Sequence, residues 1–198
     1  QQRPAEVAAS QALERRVLAN PDIDIYECGR QDIRAGIIDR RVLATLEFLA
    51  ASGMKPTVTS LRCGHGYLTA SGNVSHHSSG DAMDIAAIDG TPIVGHQGEG
   101  SITDLAVRKL LTLQGTMKPA QIITLMEYAG TDNTYAMGDH DDHIHVGFQP
   151  QHAVVDQQRR VEHAEHVSRE RLHLRHARVA RELVHQSLER VHLGDDRL

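Results

Sequence analysis

The sequence predicts an α+β fold in which a small antiparallel sheet is flanked by helices. Segments with helix start and stop signals alternate irregularly with short β-rich runs, and this order is typical of α+β domains. No internal repeat is visible in the 198 residues. Aromatic residues make up 3% of the chain and tryptophan is absent, so Ile, Val, Leu and Ala are expected to build the core.

Three helices are predicted from their boundary signals. The first is expected to stop at Asn20-Pro21, because proline ends a helix at or before the residue that precedes it. The second carries apolar residues near one face and has Gly53 at its C-terminal end. The third begins at Ser101-x-x-Asp104, which resembles a capping box. The predicted ranges are 5–19, 32–52 and 102–113.

Four strands are predicted between and after these helices. The first is rich in Thr and Val and leads into a glycine-rich loop over 63–80. The second is an apolar run that is closed by the turn signal Asp89-Gly90. The predicted strand ranges are 57–61, 81–88, 121–128 and 143–148.

The composition changes abruptly after Pro150, which divides the chain into two expected parts. Phe, Tyr, Pro, Lys, Ile, Thr and Asn do not occur beyond that residue. Residues 1–150 are therefore predicted to form the folded domain, and 151–198 an Arg- and His-rich tail that is helical or disordered. The tail histidines do not recur on one helical face, which favours a solvated segment over a metal-handling one.

Charge, length and cysteine content limit the expected partners and location. The formal net charge of −5 argues against nucleic acid as the main partner, and no apolar run approaches the roughly 18–20 residues of a membrane span. The chain starts QQRPAE, without Met or a signal peptide, and is expected to be a mature form or a trimmed piece. For Cys28 and Cys63 two alternatives stay open: a disulfide, which would fit an exported protein, or two small buried thiols.

The stretch 75–84, SHHSSGDAMD, has a skeleton that predicts half of a zinc site. His77 and Asp84 are candidate ligands, and Gly80 between them allows the loop to turn back. His145, in DHDDHIHVGF, would be the third ligand. Catalytic zinc usually takes three protein ligands and keeps a position for water, whose pKa the metal lowers to about 7. The expected cofactor is therefore one Zn²⁺ per chain, at the ends of strands.

The pattern S-x-H-x-x-G-x-A-x-D, followed by His143-x-His145, resembles the D-alanyl-D-alanine carboxypeptidase family of zinc peptidases. That family belongs to a wider group with lysostaphin-type peptidases and the hedgehog signalling domain. The resemblance covers about residues 55–148 and implies a peptidoglycan stem peptide or cross-bridge as the substrate. It also implies an extracellular or cell-wall location, in a bacterium or as a phage-borne lysin. The oligomeric state is left open.

Carried over by position, the resemblance implies that His77, Asp84 and His145 hold zinc. The family's general base lies three residues before the last ligand, which is Asp142 here, where many members have glutamate. Residues 142 and 145 point to opposite faces of an ideal strand, so the strand entry would have to bend. Asp141 is the competing candidate.

Further residues are expected beside the ligands. Arg62 matches an upstream arginine that binds a substrate carboxylate or stabilises the oxyanion, and a guanidinium can hold a carboxylate through two hydrogen bonds. His143 would share a face with the last ligand and either contact the substrate or orient the ligand sphere. Ser75 is expected to support the loop, whereas His65 and His140 are expected to be ordinary loop histidines.

The expected function is hydrolysis of an amide bond in one step, without a covalent intermediate. Asp142 would take a proton from the attacking water and deliver it to the leaving amine. The alternative is a catalytically inactive, zinc-stabilised binding module of the hedgehog type. An acid at position 142 favours the enzyme, because a binding module does not need a general base.

Overall fold

A computed structural model of the protein describes residues 4–69 and 72–150, and the tail predicted over 151–198 lies outside these ranges. The helices are α1 (Pro4–Ala19), α2 (Glu27–Arg34), α3 (Arg40–Ala51) and α4 (Ile102–Leu110), with 3₁₀ helices at His76–Ser79 and Gly115–Met117. The strands are β1 (Asp24–Ile25), β2 (Pro56–Ser60), β3 (Ala82–Ile88), β4 (Thr91–Pro92), β5 (Gln121–Thr124), β6 (Thr134–Ala136) and β7 (Ile144–Gly147). Among the described helices, none is long and apolar enough to cross a membrane.

The described strands form one sheet of seven, in the order β1-β2-β3-β7-β5-β6 with β4 beside β3. The central pairs β2/β3, β3/β7 and β7/β5 are antiparallel, whereas the outer pairs β1/β2 and β5/β6 are parallel. With the helices that flank this sheet, the architecture confirms the predicted α+β class. The short strands β1, β4 and β6 were not predicted, because two or three residues are too few to show the alternation of apolar and polar residues that marks a strand.

The predicted helix 32–52 is wrong, because the structure has two helices separated by a turn. α2 ends at Arg34, and Gly36 then takes a left-handed backbone conformation with φ of 66°. Asp39 starts α3 as its N-cap, and its carboxylate accepts the backbone N–H of Arg41 at 2.7 Å. Glycine in the left-handed region followed by an N-cap aspartate ends one helix and begins another.

The core is aliphatic, as the composition predicts. Apolar faces of α3 and α4 and the strands β2, β3 and β7 supply most of its buried side chains, among them Leu43, Leu46, Leu49, Val58, Ile85, Ile88, Val107, Leu110, Ile144 and Val146. Cys28 and Cys63 form a disulfide with a Cα–Cα distance of 6.0 Å, which decides between the two alternatives for the cysteines.

The turn between α2 and α3 contacts the glycine at the centre of the 75–84 stretch. Asp39 donates its backbone N–H to the carbonyl oxygen of Gly80 at 2.9 Å. Gly80 has φ of 80° and ends the 3₁₀ helix that carries His77. A Cβ atom at this position would lie 2.0 Å from the carbonyl oxygen of Ile37. Only glycine fits, and its close approach fixes the loop against the helical layer.

We expect Gly80→Ala to lower the free energy of unfolding by about 2–5 kcal/mol, of which about 1–2 comes from the left-handed backbone and about 1–3 from overpacking. Gly90 is the matched control, because its φ is 75° but nothing lies within 4 Å of an added Cβ. Gly90→Ala should therefore cost only the backbone part. Urea unfolding of the two variants measures the difference, and equal losses would contradict the close contact at Gly80.

Candidate metal centre

The register of the central strands brings two of the predicted ligands side by side. Asp84 on β3 lies directly opposite His145 on β7, and His145 lies opposite Ile123 on β5. Directly opposed residues share a face of the sheet, so the carboxylate and the imidazole project together. His77 reaches the same face from its 3₁₀ helix, with a fully buried side chain. The structure therefore brings His77, Asp84 and His145 together.

The tautomer of His77 is set by a backbone carbonyl. Its Nδ1 lies 2.6 Å from the carbonyl oxygen of Leu61, at the end of β2, and a carbonyl can only accept. Nδ1 therefore carries the proton, and in the neutral ring Nε2 presents a lone pair. Ser75, the N-cap of the 3₁₀ helix, accepts the backbone N–H of His77 at 3.2 Å through its hydroxyl. This contact confirms that Ser75 supports the loop.

Three ligand atoms converge at the centre of the cluster. Nε2 of His77 lies 3.1 Å from Oδ1 of Asp84 and 3.1 Å from Nδ1 of His145, and this Nδ1 lies 2.9 Å from the same Asp84 oxygen. Tetrahedral zinc with bonds of about 2.0–2.1 Å separates its ligand atoms by about 3.3 Å. An expansion of a few tenths of an ångström would admit the ion, so the donor set fits the cofactor that the sequence predicts.

Gln121 contacts the outer nitrogen of His145. The side-chain nitrogen of Gln121 lies 2.9 Å from Nε2 of His145. For Nδ1 to face a metal, the proton of His145 must sit on Nε2, and a half-turn of the Gln121 amide would present its oxygen to that N–H. Leu61 plays the same part for His77. Each imidazole thus has an outer hydrogen-bond partner, as metal-ligating histidines usually do.

Electrostatics favour the unprotonated forms of Asp84 and His145. Burial would raise the pKa of the Asp84 carboxyl, but the adjacent imidazoles of His145 and His77 outweigh burial and hold that pKa well below its usual range. Burial also lowers the pKa of His145 to about 4, against the opposing effect of Asp84. Metal ligands must be deprotonated, and both shifts favour that state.

A second set of three, His65, His77 and Asp84, also brings one ligand atom from each residue within 4.8 Å of the others and could hold a metal ion. The two sets differ only in the third ligand. The rings of His65 and His77 are stacked in parallel, 4.0 Å apart at 8°. Lone pairs lie in the ring planes, so two parallel rings do not direct them at one ion. On this geometry His145 is the better-placed candidate for the third ligand, and His65 packs against the ring of His77.

His143 faces the cluster from the entry of β7, backed by Asp142. Its Nδ1 lies 2.6 Å from a carboxylate oxygen of Asp142, which accepts the proton, and its Nε2 lies 3.8 Å from Oδ1 of Asp84. The Asp142 side chain is 68% exposed, compared with 20% for His143. Residues 141 and 142 form a bend before β7, and in this arrangement the Asp142 carboxylate contacts His143. The predicted role of Asp142 as the general base stays a prediction.

Arg62 lies next to Leu61, whose carbonyl holds His77, and its side chain is exposed. Its backbone N–H donates to Asp32 at 3.2 Å. Within the described ranges, the Arg62 guanidinium makes no hydrogen bond or ion pair, which leaves all of its donors available to a ligand. Its predicted role in binding a carboxylate stays a prediction.

Three neighbours of the cluster were not predicted as site residues. His65 stacks on His77, Gln121 contacts His145, and the ring of His140 lies 4.6 Å from that of His143. From the sequence, His65 and His140 are predicted to be ordinary loop histidines. This prediction is wrong, because the structure places both rings against histidines of the site. Only tertiary contacts reveal these residues, although His140 lies in the same histidine- and aspartate-rich segment as His143 and His145.

Comparison with models of known protein families, with curated proteins and with solved structures found no match. The chemistry of the cluster and the sequence pattern around it are therefore the grounds on which a function can be proposed.

Proposed function

We propose that this chain is a zinc-dependent peptidase that hydrolyses amide bonds in peptidoglycan peptides, as a carboxypeptidase or an endopeptidase. The observation that carries the proposal is the convergence of ligand atoms from His77, Asp84 and His145 beside the imidazole of His143. The resemblance of the sequence pattern to D-alanyl-D-alanine carboxypeptidases supplies the substrate class. A zinc ion held by these ligands would lower the pKa of a water to about 7 and polarise the scissile carbonyl.

In this proposal His143 is the proton acceptor, and Asp142 orients it. Because Nδ1 of His143 donates to Asp142, the lone pair of Nε2 is directed at the cluster. A carboxylate behind a catalytic imidazole holds the productive tautomer and stabilises the imidazolium that forms. His143 would take a proton from the attacking water and return it to the leaving amine.

Arg62 would bind the substrate. Arg62 is exposed and directly follows Leu61, whose carbonyl oxygen contacts His77, so the backbone of Arg62 lies beside the cluster. Guanidinium groups pair with carboxylates through two parallel hydrogen bonds, and the stem peptides of peptidoglycan carry such groups. We assign Arg62 to the substrate carboxylate or to the oxyanion of the tetrahedral intermediate.

Digestion of purified peptidoglycan tests this function. We expect wild-type protein supplied with Zn²⁺ to release new peptide ends, detected by mass spectrometry, and to lose this activity on treatment with a chelator. Re-addition of Zn²⁺ should restore it, and the Asp84→Asn variant should stay inactive in every condition.

Absence of cleavage would overturn the proposed peptidase activity. If wild-type protein that carries one zinc ion cleaves none of several cell-wall types, the catalytically inactive binding module becomes the better description. Sedimentation with insoluble peptidoglycan would then detect binding without cleavage.

A further inference from the structure

Residues 61–63 link β2 to the glycine-rich loop and decide where His77 points. The carbonyl oxygen of Leu61 receives Nδ1–H of His77, which leaves Nε2 directed at Asp84 and His145. A displacement of this carbonyl would release the ring or let the other nitrogen take the proton. Whatever holds residues 61–63 therefore also holds the metal-ligating face of His77.

Helix α2 and the residue before it hold this segment at three points. The hydroxyl of Tyr26 accepts the backbone N–H of Leu61 at 2.8 Å and donates to the carbonyl oxygen of Cys63. The carboxylate of Asp32 accepts the backbone N–H of Cys63 at 2.6 Å and that of Arg62 at 3.2 Å. The third link is the disulfide from Cys28 to Cys63. We call Tyr26, Asp32 and the disulfide the α2 clamp.

The sequence of α2 makes room for the clamp. Tyr26 is the N-cap of α2, and its ring lies against the backbone at Gly29, where an added Cβ would stand 2.3 Å from a ring carbon. Glycine is therefore needed for the ring to reach residues 61–63. Each of the three groups of the clamp contacts residues 61–63 and therefore acts on the cluster through the backbone beside Leu61.

We propose that the α2 clamp positions His77 and so sets the affinity of the cluster for its metal ion. Tyr26, Asp32 and the disulfide are positioning groups, because they act on His77 through the Leu61 carbonyl. The inference rests on the metal-binding part of the proposed function and is independent of which bond, if any, the protein cleaves. Loss of an outer partner of a metal ligand typically lowers metal affinity about 10–100-fold.

Tyr26→Phe tests the clamp because it keeps the ring and removes only the hydroxyl. We expect this variant to bind Zn²⁺ about 10–100-fold more weakly than wild type in competition with a chromophoric chelator. Tyr128→Phe is the matched control, since its hydroxyl donates to Asp104 on α4 at 2.8 Å, away from residues 61–63. Its zinc affinity should stay within threefold of wild type. A Tyr26→Phe protein with wild-type affinity would overturn the proposal.

The disulfide is tested by the double variant Cys28→Ser with Cys63→Ser. Substitution is preferable to chemical reduction, because free thiolates would themselves bind zinc. We expect a loss of zinc affinity of about tenfold or more, and unchanged affinity would remove the disulfide from the clamp.

Nitrogen-15 spectra of the metal-free proteins separate the clamp from the function of the cluster. In wild type, His77 should show a proton on Nδ1, and in Tyr26→Phe this signal should weaken as the other tautomer becomes populated. If wild type binds no zinc at all, the metal site fails while the clamp is still judged by this spectrum. An identical His77 signal in both proteins would then overturn the clamp.

Discussion

Replacing Asp84 by asparagine is expected to lower the affinity for Zn²⁺ by more than about 100-fold, because loss of an outer partner alone already costs about 10–100-fold. Asp84 is the single carboxylate among the three proposed ligands, and its Oδ1 contacts both imidazoles at 2.9 and 3.1 Å. The amide has nearly the same shape, so it preserves the packing of β3 while it removes the negative charge that attracts the cation. Chelator competition measures the change directly.

Thermal stability gives a second measurement of the same substitution. A ligand at 100 times its dissociation constant stabilises the folded state by about 2.7 kcal/mol, so Zn²⁺ should raise the melting temperature of wild type. The Asp84→Asn variant should melt at the same temperature with and without the ion.

Asp104 offers the matched control for Asp84. Its carboxylate is also buried and accepts the backbone N–H of Gly100 at 2.9 Å, but it lies at the start of α4. Asp104→Asn should lose stability and keep its response to zinc. An Asp84→Asn protein that binds Zn²⁺ within tenfold of wild type would show that the ion is held elsewhere, for example by His65.

The convergence of His77, Asp84 and His145 could be predicted because their spacing is local or is imposed by strand pairing. His77 and Asp84 are separated by one 3₁₀ helix and a left-handed glycine, and both features have sequence signals. His145 was assigned from the downstream His-x-His pattern, and the pairing of β7 with β3 places it opposite Asp84. The residues that surround these ligands, His65 and Gln121, depend on tertiary contacts that no periodicity encodes.

The errors in the fold have a related cause. The helix predicted over 32–52 breaks because Gly36 and Asp39 act as the end of one helix and the start of the next. Their signals were present but weaker than the apolar pattern that runs through both helices. The break between the two helices has a function in the fold, since Gly80 of the 75–84 stretch packs against the carbonyl of Ile37 in the turn between α2 and α3. The turn between α2 and α3 thus forms the surface against which the loop that carries His77 packs.

His143→Ala is expected to lower the rate of peptide hydrolysis by about 10²–10⁴-fold, the contribution typical of a general base. His143 is not among the three proposed ligands, so its replacement should leave the affinity for Zn²⁺ within a few-fold of wild type. This combination separates a catalytic group from a ligand. A loss of zinc binding that matches the loss of rate would instead make His143 part of the metal site.

Substitutions of Asp142 and Asp141 test which group takes the proton from the attacking water. If Asp142 only orients His143 through the 2.6 Å hydrogen bond, Asp142→Asn should lower the rate about 10–100-fold, less than His143→Ala. Asp141 is the neighbouring exposed acid, so Asp141→Asn should leave the rate unchanged. A larger loss in Asp142→Asn than in His143→Ala would restore Asp142 as the base, as its position in the sequence pattern predicts. That result would require the Asp142 side chain to turn from His143 toward the cluster when substrate binds, because 68% of this side chain faces solvent in this structure.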